Sequence, residues 1–165
     1  MNHEHALVET DKILRAAGVP YWISFGTLLG FYREGGVIQG DNDLDFCCKT
    51  EDLLGKEKMV ARGLRKLNFK TKVHSAKKKL RVIGVCGDIE VAVAAFQKKG
   101  AYRVRNTWRM PAHFFEYPGK IVCYGREYPC HSPIEEYLEW VYSDWKTPMP
   151  KHLGRALYTN LVLRK

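Results

Sequence analysis

Apolar positions along the chain change their period several times, and each change marks an element. From His3 to Ala17, Leu7, Ile13, Leu14 and Ala17 recur at roughly helical spacing, and Gly18-Val19-Pro20 ends the segment. Tyr21 to Phe25 is a short apolar run that reads as a buried strand. Thr27 to Arg33 follows as a helix that stops near Gly35-Gly36, and Asp43 to Cys48 is a second strand. Glu51 to Leu67 carries Leu53, Leu54, Met59, Val60, Leu64 and Leu67 on one side, which predicts an amphipathic helix closing on Asn68. Phe69 to His74, Leu80 to Val85 and Asp88 to Phe96 are alternating or β-branched and read as strands, with Cys86-Gly87 as a tight connection. Tyr102 to Val104 and Lys120 to Tyr124 extend the sheet. Ser132-Pro133 is a start signal for a last helix reaching Tyr142. The order predicts an α+β fold with a mixed central sheet.

Bulk properties narrow this further. A chain of 165 residues fits one domain, residues 1–165, and 45% hydrophobic residues with 12% aromatics argue against disorder. No apolar run approaches the ~18 residues of a membrane span. The N-terminus has acidic residues where a signal peptide has basic ones, so cytoplasmic residence is the expectation. Five cysteines (Cys47, Cys48, Cys86, Cys123, Cys130) in no metal-like spacing read as reduced core thiols, ahead of a zinc site from Cys123, Cys130 and His131. The net charge of +9 implies polyanionic company. It concentrates at Lys77-Lys78-Lys79 with Arg81, and at Lys98-Lys99 with Arg103 and Arg105, where solvated turns are as good a reading as a binding patch. A nucleotide diphosphate, an anionic glycan or a nucleic acid would each suit that charge.

The chemistry concentrates between Tyr21 and Phe46. Asp43 and Asp45 bracket Leu44, so on a strand both carboxylates share one face while Leu44 points to the core. Two acids that close repel each other, and Mg²⁺ (or Mn²⁺) bound by oxygen ligands relieves the repulsion. Asp88, on the later strand segment Gly87 to Val91, is the expected third carboxylate, as a metal ligand or as the base for an acceptor hydroxyl. Glu90 shares its face and is the fallback. Gly26-Thr27 stands where a strand turns into a helix N-terminus. There glycine lets phosphate approach the backbone and free amides attract it, with the Thr27 hydroxyl as a further donor. Arg33 is the candidate phosphate clamp. The six histidines (His3, His5, His74, His113, His131, His152) are scattered without motif partners, and surface or hydrogen-bonded structural roles suit most of them. Trp108, Phe114, Phe115 and Tyr117 read as core before they read as a base-stacking platform.

The segment SFGTLLGFYREGGVIQGDNDLDF resembles the LicD family, within the nucleotidyltransferase fold of the DNA polymerase beta superfamily. The matching parts are Gly26-Thr27-Leu28-Leu29-Gly30, Arg33, and the acidic cluster Asp41-Asn42-Asp43-Leu44-Asp45. The acid at Asp88-Ile89 and the segment from Ser132-Pro133 through Trp145 to Pro148 are similar to later parts of the family pattern. Asn42 replaces a common acid, and Gly40 stands where an aromatic is frequent. That family includes phosphocholine transferases and fukutin-related ribitol-phosphate transferases. The resemblance implies a nucleotidyltransferase-like sheet flanked by helices. It also implies a metal-dependent phosphotransferase that moves a phosphorylated alcohol from a CDP-activated donor to a sugar or glycan hydroxyl. Two alternatives stand beside it: a nucleotidyltransferase moving an NMP from an NTP to a small molecule, protein or RNA, and a non-catalytic basic binding module.

Overall fold

The computed structural model describes residues 1–149 and Asn160; His152 lies outside the described residues. The first helix, α1 (His3–Ala16), starts at Asn2, whose side chain accepts a hydrogen bond from the His5 amide. A helix of this length is marginal alone in water, so packing holds it. Leu7 and Leu14 are fully buried, each contributing about 1.5–3 kcal/mol of apolar burial. Strand β1 (Tyr21–Ile23), helix α2 (Phe25–Glu34) and strand β2 (Asp43–Lys49) follow.

The expected single helix over 51–67 is two, α3 (Thr50–Leu53) and α4 (Glu57–Lys66). The break falls at Gly55, whose φ of 85° is left-handed and incompatible with a continuing helix. Strands β3 (Lys70–His74), β4 (Arg81–Cys86) and β5 (Ile89–Lys99) form an antiparallel meander. Asp88 belongs to the turn before β5 rather than to the strand, and β5 runs on to Lys99. Beyond it come β6 (Tyr102–Arg105) and β7 (Trp108–Pro111), then β8 (Gly119–Cys123), β9 (Arg126–Cys130) and α5 (Ile134–Tyr142). The β7 and β9 strands have no alternating apolar signal strong enough to foresee.

The sheet runs β3-β4-β5-β2-β1-β9-β8, with β6 and β7 continuing from the end of β5. It is mixed: β2 pairs β5 parallel and β1 antiparallel. One face carries Val82, Gly84, Val91, Val93, Leu44 and Phe46 into the core. There a Cβ on Gly84 would touch Leu64 of α4, and one on Gly63 of α4 would clash with Ile13 of α1. The opposite face is more open, and it carries the polar chemistry. No helix among the described residues is long and apolar enough to cross a membrane.

Gly30 explains the second glycine of the GTLLG segment. The chain leaves α2 through Gly35 at φ 73° and folds back over the helix. A Cβ on Gly30 would stand 2.5 Å from the Gly36 carbonyl and 3.0 Å from the Ile38 amide. Those neighbours are backbone and cannot swing aside, so overpacking outweighs alanine's helix preference of about 1 kcal/mol. Gly30→Ala is expected to lose about 1–3 kcal/mol in denaturant unfolding. Gly36→Ala meets nothing within 4 Å, and it should stay within about 0.5 kcal/mol of the parent.

Candidate functional site

Asp43 and Asp45 sit at the start of β2 on the open face, Asp43 exposed and Asp45 half-buried. Helix α2 begins beside them. The Thr27 hydroxyl accepts a hydrogen bond from the Asp45 amide at 2.8 Å and reaches the Asp43 carbonyl at 3.3 Å. Thr27 is 2% exposed, so this hydroxyl joins the helix start to the backbone of the acidic strand. That is a positioning role, distinct from the phosphate donor expected of it.

Gly26 lies still closer to the acids. A Cβ there would meet an Asp41 carboxylate oxygen at 2.9 Å and an Asp45 oxygen at 3.9 Å. Only a residue without a side chain lets the helix start come this near. The Gly26 amide also hydrogen-bonds the Asp45 carboxylate, which partly offsets the factors that push its pKa up. Phe25, just before it, has φ 46°, left-handed backbone that a bulky residue seldom adopts. Its amide donates to the Tyr137 hydroxyl at 3.2 Å, and its ring packs edge-on to Trp108.

The sheet register brings a further acid, Glu90, beside the pair. The parallel register sets Asp43 opposite Glu90 and Asp45 opposite Ala92. Asp88 is exposed on the turn, one step outside this register. The electrostatics follow the same geometry. Asp45 is pushed up to about 8, first by desolvation and then by the charges of Asp43, Asp41 and Glu90. Glu90 is raised by burial and by Asp43, with Arg81 opposing.

Among the described residues, no three His, Cys, Asp or Glu side chains are gathered as a finished cation cage. A carboxylate pair that completes its shell with substrate phosphates and water is the usual Mg²⁺ arrangement, and the donor set here fits that. The mutual repulsion recorded at Asp45 is what a divalent cation would relieve.

Arg33 is held elsewhere. Its guanidinium donates to Glu34 Oε1 at 2.6 Å and to the Trp145 carbonyl at 2.9 Å. It lies seven residues after Gly26 on α2, roughly 10 Å along the helix axis. In this structure Arg33 therefore joins α2 to the segment after α5.

A buried support beneath the site was not foreseen. Ser24 Oγ lies 2.8 Å from His131 Nε2, and His131 Nδ1 lies 3.0 Å from the Phe114 carbonyl. A carbonyl can only accept, so the imidazole proton belongs on Nδ1, with Nε2 facing the Ser24 hydroxyl. Burial holds His131 down to about 3, hence neutral. Its ring stacks on Tyr137 at 4.2 Å between centroids. Local sequence offers no signal for His131 and Tyr137, because both come from the far end of the chain. Trp108 is half-buried, Phe114 and Phe115 are core, and Tyr117 is exposed.

Comparison with known proteins agrees with this geometry. An uncharacterised protein of Rickettsia typhi is 28% identical over 143 residues, spanning 80% of this chain and 44% of that protein. The chain thus spans about half the length of the first relatives it matches. Human ribitol 5-phosphate transferase FKRP is 44% identical over 52 residues, 29% of this chain and 10% of that protein. The crystal structure of ANT(2″)-Ia in complex with adenylyl-2″-tobramycin superposes with a TM-score of 0.59 at 17% identity, covering 93% of this chain and 86% of that one. This likeness shows the fold, a nucleotidyltransferase-like mixed sheet flanked by helices. The family described as LicD/FKTN/FKRP, nucleotidyltransferase domain, matches residues 18–129, and the chain belongs to that family.

Proposed function

We propose that this protein is a divalent-metal-dependent phosphotransferase that moves a phosphorylated alcohol from a CDP-activated donor to a sugar or glycan hydroxyl. The observation that carries the reading is the carboxylate pair Asp43, exposed, and Asp45, half-buried, beside a helix start that a glycine brings against them. Asp43 and Asp45 would hold Mg²⁺ or Mn²⁺, with Glu90 as third carboxylate in preference to Asp88. The metal, when bound, supplies charge neutralisation at the phosphate oxygens. The acceptor hydroxyl oxygen forms a bond to the phosphorus bearing the alcohol. The bond from that phosphorus to the bridging oxygen breaks, CMP leaves, and the hydroxyl proton passes to a carboxylate, for which Glu90 is best placed. Thr27 keeps the two aspartates in position through the backbone of β2, and Gly26 keeps the helix start close to them.

A second reading, NMP transfer from an NTP, is favoured by the fold likeness to an adenylylating protein. The donor separates the two. Purified protein with Mg²⁺ or Mn²⁺ is offered CDP-choline, CDP-ribitol, CDP-glycerol and the four NTPs with mixed sugar acceptors. CMP release from one CDP-alcohol is expected, falling roughly a hundredfold or more in Asp43→Asn. Pyrophosphate from an NTP would move the protein to the second reading. Near-native turnover by Asp43→Asn would sink both.

The charge on Asp45 generates a separate expectation. Its folded value, about 8, lies above its ordinary 3.8, so the folded metal-free protein holds a proton that the unfolded chain releases. Stability of the metal-free protein should therefore fall as pH rises from about 4 to about 8. Thermal melts in EDTA at pH 8 should show Asp45→Asn melting above the parent, while the Mg²⁺-induced rise in Tm disappears. A lower melting temperature for Asp45→Asn at pH 8 would overturn the account of repulsion at this site.

A further inference from the structure

With Arg33 engaged by Glu34 and the Trp145 carbonyl, the open face still carries other cations, and the strand register shows where. Cross-strand pairing sets His74, Arg81, Ala94, Cys47 and Trp22 in one row across the sheet. The next row toward the acids holds Lys72, Ile83, Ala92 and Asp45. Ala92 and Ala94 are short, so between Arg81 and the aspartates the sheet surface is a shallow floor.

Arg105, at the end of β6, comes over this floor from the side. The Asn106 amide donates to the Lys78 carbonyl at 2.9 Å, which fixes the end of β6 beside the turn that leads into β4. Arg105 is 9% exposed, and its Nε is buried without a hydrogen-bond partner. His74 Nε2, in the same row as Arg81, is buried and unpartnered too. Arg105 feels both Arg81 and Cys47, the residues on either side of Ala94. Its pKa is pulled below the ordinary arginine value by burial and by Arg81. His74 is lowered by burial and by Arg81, Lys72, Arg105 and Lys79. The carboxylate that answers this charge is Glu90, which senses Arg81. Among the described residues, the close arginine ion pairs lie elsewhere, Arg15 with Asp11, Arg33 with Glu34 and Arg103 with Glu51.

Arginines gathered against one another around a buried, unsatisfied Nε–H, that of Arg105, are unfavourable unless an anion joins them. A phosphate offers several acceptor oxygens and matches the planar donor fork of arginine. We infer that Arg81 and Arg105, with His74 beside them, form an anion subsite over Ala94 that binds a phosphate group of the substrate next to the carboxylates. The inference rests on the phosphotransferase reading only for the word substrate; the subsite itself stands on the row geometry. Two sources could supply the group, the donor's diphosphate or a phosphate on the acceptor.

The test is a titration of the purified protein with inorganic phosphate, followed by the arginine Nε–Hε signals in ¹H–¹⁵N spectra at fixed ionic strength. A saturable shift of the Arg105 signal is expected. Arg81→Gln, which leaves Arg105 in place, should weaken binding about tenfold. Asp43→Asn should leave it intact, so phosphate binding together with a silent donor panel would remove the proposed function and keep the subsite. CDP competing for the shift assigns the site to the donor, and glucose 6-phosphate competing without CDP assigns it to the acceptor. Sodium chloride reproducing the shift, a response that never saturates, or unchanged affinity in Arg81→Gln would each overturn the subsite. Arg105→Gln, read by phosphate-induced shifts of backbone amides in β4 and β6, guards against misassignment. Retained affinity in that variant would overturn the subsite as well.

Discussion

The contact that organises this molecule is the Thr27 hydroxyl against the backbone of β2. It meets the amide of Asp45 and the carbonyl of Asp43, so one side chain fixes the start of α2 to the strand that carries the acids. Without it, the Asp45 amide would lose a partner at a buried position. The left-handed turn at Phe25, the bare backbone at Gly26 and the return of the chain over Gly30 all depend on the helix starting at this place and angle. The Ser24–His131–Tyr137 stack supports the same point from below. Local sequence, helix start and acidic strand thus form one mechanical unit.

That unit is built against its own electrostatics. Desolvation and three neighbouring carboxylates disfavour a charged Asp45, and the Gly26 amide offsets them only in part. A site arranged for tightest folding would place an amide or an apolar group there. The tension is what an anion-rich, cation-seeking surface requires, and on the same face the cations of β3, β4 and β6 carry the opposite excess.

Legibility in the sequence followed the range of the interactions. The helix over 3–17, the acidic strand and the amphipathic pattern of 51–67 were readable because period and capping act within a few residues. The break at Gly55 was missed because the apolar stripe continues through it, and only the backbone conformation interrupts it. Asp43, Asp45 and Gly26 were readable as motif positions. The choice between Asp88 and Glu90 was not, since it turns on the parallel register of β2 with β5, a pairing between segments more than forty residues apart. Arg33 was likewise readable as a motif position, but its bond to the Trp145 carbonyl, more than a hundred residues away, was not. Arg105 was legible only as part of a basic concentration, and the contacts of His131 and Tyr137 with Ser24 and Phe25 exist only once the far end of the chain is packed against the start of α2.

The rows across the sheet have an implication for how this surface can change through evolution. Residues on the open face come from five strands, and each strand contributes every second position. Substitutions at Ile83, Ala92 or Ala94 alter the depth of the floor one residue at a time and leave both charged groups in place. A one-residue insertion within β5 is different in kind. It would turn Val91 and Val93 toward solvent and drive Glu90 into the core. Point mutation can therefore diversify what rests on this floor, whereas changes of length must be confined to the turns, such as the one that holds Gly87 and Asp88.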